Sequence, residues 1–168
     1  VVNGTSYLVG MDTSGNVYKM DYSSGSPDGT WDEIVGSVYS TTGTLWHLTS
    51  SVDGSGNLIL VMTNDANQPL KWTGTGDVAN LSADTAIWGT ITSSRAKVVN
   101  TYGFRTVFDN VVDVDGSQPF RTRWSNFDDA VTFSASDFKD WTNDGSTGIM
   151  ASFVHRSYRY VLTNKSVH

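Results

Sequence analysis

Residues 6–23 read SYLVGMDTSGNVYKMDYS: two short apolar-rich runs joined by a turn in which Gly15 and Asn16 supply the conformations a tight reversal needs. Working outward, residues 57–74, NLILVMTNDANQPLKWTG, repeat the plan of strand, turn and strand. Residues 108–125, FDNVVDVDGSQPFRTRWS, repeat it again. Further strands are expected at LWHLTSSV (residues 45–52), AKVVNTYG (96–103) and ASFVHR (151–156), and a last one at YRYVLTNKSV (158–167).

The composition agrees. The chain of 168 residues holds 19 Val, 20 Thr, 21 Ser and 16 Gly, but only five Lys and a single glutamate, Glu33, against sixteen Asp. Helices draw on Glu, Lys, Ala and Leu for their solvent faces; β-branched and aromatic residues with Gly, Asn and Asp turns are the stock of strands. One all-β domain over residues 1–168 is expected. A net charge of −6 and a pI near 4.7 argue against a general nucleic-acid binder. The apolar runs are short, such as residues 58–62, so no helix long enough to span a membrane is expected. Without cysteine there is neither a disulfide nor a thiolate metal site.

Internal repetition sharpens the fold class. At an offset of 52, Lys19 falls on Lys71 and Arg123, Met20 on Trp72 and Trp124, and Leu8 on Leu60 and Val112. Such a period, with three or four strands per unit, is expected of a β-propeller-like array of antiparallel blades. The units are placed at residues 1–52, 53–104 and 105–156, with the start of a fourth at 157–168. An irregular β-sandwich is the alternative. Trp31, Trp72, Trp88, Trp124 and Trp141 are assigned to the blade core. Closed propellers take about four to eight blades, so the chain is expected to be a segment of a longer protein or one copy of a homo-oligomer.

The segment RTRWSNFDDAVTFSASDFKDW, residues 121–141, resembles a pattern of virion proteins of tailed bacteriophages, in which an Arg-x-Arg-Trp-Ser strand leads into an Asp-rich turn and then a tryptophan. The likeness spans roughly residues 97–166 and implies a propeller of the tail hub, nozzle or head-to-tail connector, hence a virion or extracellular location. It implies that other virion proteins or identical copies are the partners. Arg121, Arg123, Asp128 and Asp129 are then expected to form a rigid hairpin used for docking. A weaker resemblance, to the Asp-box repeat of sialidase-like propellers, rests on Ser26, Asp28, Gly29 and Trp31. That box is a structural device and implies no activity.

The chemistry is sparse, and no enzyme is expected. Glycoside hydrolysis needs two facing carboxylates; sixteen aspartates make many pairs, while Glu33 has no tyrosine in an obvious partner position. There is no Gly-x-Ser-x-Gly nucleophile turn, and His47, His155 and His168 have no zinc-ligand spacing. Asp113 and Asp115, with Asn64 to Asn67 in a second turn, offer the hard oxygens that calcium takes, but such turns favour Asp and Asn without an ion. No other cofactor is expected. Residues 105–168 carry seven bases against eight acids, whereas residues 1–52 carry one against five. The arginines of this last third alternate with Phe120, Trp124, Phe153, Tyr158 and Tyr160, a pattern expected of a protein interface or of arginines lying along aromatics to shield the blade face, ahead of a grip on nucleic acid. A glycan-binding propeller is the second functional expectation, since sugars stack on tryptophan; a glycosidase is the third.

Overall fold

The computed structural model describes residues 1–2, 4–22, 25–35, 39, 45–82, 85–88, 94–141 and 145–168. Over the described residues the chain is all-β, with four antiparallel sheets, none closed into a barrel. The first sheet holds β1 (Tyr7–Met11), β2 (Val17–Asp21) and β3 (Asp32–Glu33). The second holds β4 (His47–Val52), β5 (Leu58–Thr63), β6 (Leu70–Trp72) and β7 (Ala79–Asn80). A single turn of helix, α1 (Thr85–Trp88), leads to the third: β8 (Arg95–Tyr102), β9 (Arg105–Asp113), β10 (Gly116–Trp124) and β11 (Phe138–Asp140). The fourth pairs β12 (Ile149–His155) with β13 (Tyr158–Thr163). Every hairpin and every further strand read from the sequence is present. The expected units 1–52, 53–104 and 105–156 each end with the first strand of the next sheet, namely β4, β8 and β12.

The registers show what repeats. Leu8 pairs with Met20 and Leu60 with Trp72, so the 52-residue offset holds there. It fails in the third sheet, where Trp124 pairs with Val107 and Val112 with Ser117. A stronger repeat is the turn itself: Asp-Thr-Ser-Gly-Asn at residues 12–16 and Asp-Gly-Ser-Gly-Asn at 53–57. In both, the Asp Oδ1 accepts the backbone N–H two and four residues on, at 2.8–2.9 Å, and Oδ2 accepts the Asn side-chain amide. This turn joins the first two strands of each sheet, β1 to β2 and β4 to β5. Later sheets use two-residue turns with positive φ at both positions: Gly103 and Phe104, then Arg156 and Ser157.

Each sheet packs on the next in chain order. Between the first and second lie Val17, Ile34, Leu60, Met62, Leu70 and Trp72; between the second and third lie Ile59, Val61, Trp88, Val99, Phe108 and Phe133. β5 feeds both layers, Leu60 and Met62 on one face and Ile59 and Val61 on the other. A strand covered on both faces reads as an unbroken apolar run, hence LILVM. Trp88 meets Phe108 and Phe133 edge-on at 5.4 and 5.3 Å, a favoured arrangement for aromatic quadrupoles.

The third interface is polar. Asn100 Nδ2 donates to Ser152 Oγ at 2.7 Å, and Asn110 Nδ2 donates to the Ile149 carbonyl at 3.0 Å. Asn110 has φ +53 in the middle of β9, where the β9–β10 register shifts opposite Pro119. Proline cannot donate to a ladder, so the strand bulges there.

Candidate functional site

The docking arginines are not on the surface. Arg121 and Arg123 leave their β10 backbone inward and are buried, Arg123 to 1% exposure. Arg121 forks onto Asp140, Nε to Oδ1 at 2.7 Å and Nη2 to Oδ2 at 3.0 Å, and Nη1 reaches Asp115 at 2.6 Å and Asp113 at 3.2 Å. Arg123 donates to the same Asp113 Oδ2 from Nη2 at 2.6 Å and Nε at 3.1 Å. The Phe138 ring lies under both guanidinium groups, 3.9 Å from Cζ of Arg121. Hydrogen bonds from Arg121 hold the Asp140 carboxyl below its ordinary pKa despite partial burial. The same carboxylates raise the pKa of Arg121. Arg121 and Arg123, expected in a rigid docking hairpin, are thus held inside it: a guanidinium taken from water must be paired, and these two brace the β9–β10–β11 corner. Asp113 and Asp115, the calcium candidates of the sequence, lie in this network and are paired with arginine.

Asp128 is exposed, with φ +51, in the turn beside Phe104 and Phe127, whose rings lie 5.3 Å apart. Asp129 is half-buried: its Oδ1 accepts the Val131 N–H at 3.0 Å, and its carboxylate packs against Gly54. In the Asp-box-like segment, Asp28 Oδ1 accepts the Thr30 N–H at 3.0 Å.

The five tryptophans divide. Trp72 and Trp88 are fully buried. Trp31 is 49% exposed and so lies outside the core; its ring packs against Gly10, where a Cβ would stand 3.3 Å from the indole. Trp124 and Trp141 are half-buried. Trp46, which the offset passed over, is a core residue, its Nε1 donating to the Gly15 carbonyl at 2.6 Å.

Trp124 and Trp141 line a cleft of about 550 Å³ between the third and fourth sheets, together with Tyr102, Arg105, Val107, Thr122, Lys139, Tyr158 and Arg159. Its floor is a hydrogen-bonded chain: Trp141 Nε1 donates to Thr122 Oγ1 at 2.7 Å, and that hydroxyl donates to Asp109 Oδ1 at 2.6 Å. Oδ2 of the fully buried Asp109 accepts from Ser152 Oγ at 2.6 Å and from Arg159 Nη2. At the rim, Tyr102 Oη donates to the Ser157 carbonyl at 3.1 Å, latching the β8–β9 turn to the β12–β13 turn. Lys139 Nζ sits 4.0 Å from the Trp141 ring centre. Three lining side chains are cationic and none is acidic. The sequence signal for this cleft was the alternation of arginine and aromatic residues in the last third; missed were Tyr102 and Lys139, which come from separate strands.

The two end sheets keep apolar surface in water. The first leaves Leu8, Val9 and Met11 exposed with Trp31; the fourth leaves Phe153, Val154 and Tyr158 exposed, with Phe153 and Tyr160 stacked at 5.0 Å. Among the described residues, no group of three or more His, Asp or Glu side chains is placed to hold a metal ion, and no helix is long and apolar enough to cross a membrane. Compared with family models, curated proteins and solved structures, the chain matches none.

Proposed function

We propose that the chain is a non-catalytic structural module of a tailed-phage particle: a run of propeller-like blades whose end sheets dock on further copies of itself and whose loops meet other virion proteins. The observation that carries this reading is the stack of sheets in chain order, ended on both sides by sheets that leave apolar and aromatic side chains exposed. Apolar side chains left exposed on the end sheets are candidates for contact with a partner, and an open two-stranded sheet leaves strand edges that proteins normally cover. The Arg-x-Arg-Trp-Ser strand supports the virion assignment, and the Arg121 network gives its hairpin the rigidity an architectural part needs. Rotational symmetry is the simplest way for equal copies to cover both ends.

Quantitative mass spectrometry of purified particles from the phage that encodes the chain tests the assignment. The chain is expected at a fixed stoichiometry with the other virion proteins. Its presence in the infected-cell lysate and absence from washed particles would contradict the reading.

A further inference from the structure

The cleft between the third and fourth sheets lies over the contacts that join them, and its lining has a ligand chemistry of its own. Four of the nine lining residues are aromatic, Tyr102, Trp124, Trp141 and Tyr158, and three are cationic, Arg105, Lys139 and Arg159, in a chain whose net charge is −6. Their donors are only partly spent. Arg159 uses Nη2 on Asp109 and Ser152, while its buried Nε has no partner. Arg105 gives Nη1 to the Ser125 carbonyl at 2.7 Å and stands 4.0 Å from Asp137. Lys139 forms no ion pair among the described residues. A volume of about 550 Å³ lies in the ordinary range of small-ligand sites, roughly 300–1,000 Å³.

We propose that this cleft binds a sugar ring carrying a carboxylate, a hexuronate, with the ring's C–H face on the tryptophan and tyrosine side chains and the carboxylate against Arg105, Lys139 and Arg159. The aromatic walls favour a ligand with an apolar face, and three lining cations that meet only two carboxylates, Asp109 on Arg159 and Asp137 on Arg105, with Lys139 in no ion pair among the described residues, favour one with a negative charge. A peptide added as a strand fits less well, because the main chain of the walls is already paired: Trp124 N–H to the Asp137 carbonyl at 3.0 Å, Trp141 N–H to the Phe120 carbonyl at 3.0 Å, and Val161 with His168 in both directions. A nucleic acid fits less well too. The positive charge is local to one cleft, with Asp115, Asp137 and Asp140 close by on the same sheet, whereas a polyanion needs a basic track. The proposal stands apart from the architectural reading, since it requires neither a second copy nor a virion.

The test follows the indole N–H resonances of the full chain while D-glucuronate, tetragalacturonate, D-glucose, a ten-residue oligothymidylate and a tetraglutamate peptide are added in turn. Saturable shifts of Trp124 and Trp141 with glucuronate or tetragalacturonate are expected, tighter binding of the tetramer marking a polysaccharide source and equal binding the free sugar acid. Glucose, lacking the charge, is expected to bind at least about tenfold more weakly. Lys139→Ala and Tyr158→Ala, both exposed and therefore tolerated by the fold, are each expected to weaken uronate binding by about fivefold. No saturable shift with either uronate, equal binding of glucose, unchanged binding in both variants, or tighter binding of the oligonucleotide or the peptide would each overturn the proposal.

Discussion

Asp109 and Arg159 form a buried ion pair that ties β9 of the third sheet to β13 of the fourth. The carboxylate is fully buried and the guanidinium side chain is 8% exposed. Asp109 also accepts from Thr122 and Ser152, so its lone pairs are well used, as a charge out of water requires. Removing one partner leaves the other charge buried without its counter-ion. Asp109→Ala is therefore expected to cost about 3–5 kcal/mol, read as a lower denaturant midpoint. The double variant Asp109→Asn with Arg159→Met should recover part of that loss. A loss below about 1 kcal/mol for the single variant would mean that the fourth sheet is not anchored here.

The bulge at Pro119 closes against Gly148. A Cβ at Gly148 would stand 2.8 Å from Pro119 Cβ and 2.9 Å from its carbonyl oxygen, and the residue has φ +137. Gly56, with φ +80, has open space around the same position. Backbone strain alone should make Gly56→Ala cost roughly 1–2 kcal/mol. Gly148→Ala adds a backbone collision to that strain and should cost more. Thermal melts of the two variants compare the effects directly; equal losses would remove the steric contribution.

Stability should fall in two stages as the solution is acidified. Burial, and then the Lys97 charge, hold His47 below its ordinary pKa of 6.5, so the unfolded chain takes up that proton first. The neutral ring's contribution is present above the ordinary value and is lost as pH falls below it. Asp12, Asp53 and Asp140 behave alike at lower pH. The Asn16 amide lowers Asp12; burial raises Asp53 but is outweighed by Asn57 and the turn amides; Arg121 lowers Asp140. Their contributions are present above the ordinary carboxylate value of 3.8 and disappear as pH drops through it. Melting temperature against pH should show a shallow first stage that His47→Gln abolishes and a second that it leaves. Survival of the first stage in His47→Gln would contradict the assignment.

Burial separates tryptophans that the repeat had grouped. Trp88→Ala should cost about 3–5 kcal/mol, as for a fully buried indole in a packed core. Trp31→Ala, losing a half-exposed ring that lies on Gly10, should cost less than about 1 kcal/mol. Similar losses for the two would contradict the placement of Trp31 outside the core.

Strand content was legible because it is local. The run LILVM announces a strand covered on both faces, and Gly with Asn or Asp announces each turn. Equivalence between units was less legible. The 52-residue offset superposes β1–β2 on β5–β6, which occupy different places in their sheets. The Asp-x-Ser-Gly-Asn turn aligns the true first hairpins, and it was visible in the residues as five matched positions with four identities. Arg121 and Arg123 looked like surface residues because charge usually is; Asp113, which closes on both across the β9–β10 hairpin, and Asp140 and Asp115 on Arg121 pair them where they are buried. The cleft needed tertiary structure, since its walls come from β8, β9, β10, β11 with Trp141 just after it, and β13.

Absolute mass in solution, by light scattering across a tenfold dilution, tests the stacked-blade architecture most directly. Closure through the end sheets should give a stable multiple of 18.3 kDa, and Phe153→Asp, placed on the exposed aromatic face of the fourth sheet, should return it to the single chain. A monomer at every concentration, or a multimer indifferent to Phe153→Asp and to Leu8→Asp on the first sheet, would contradict it.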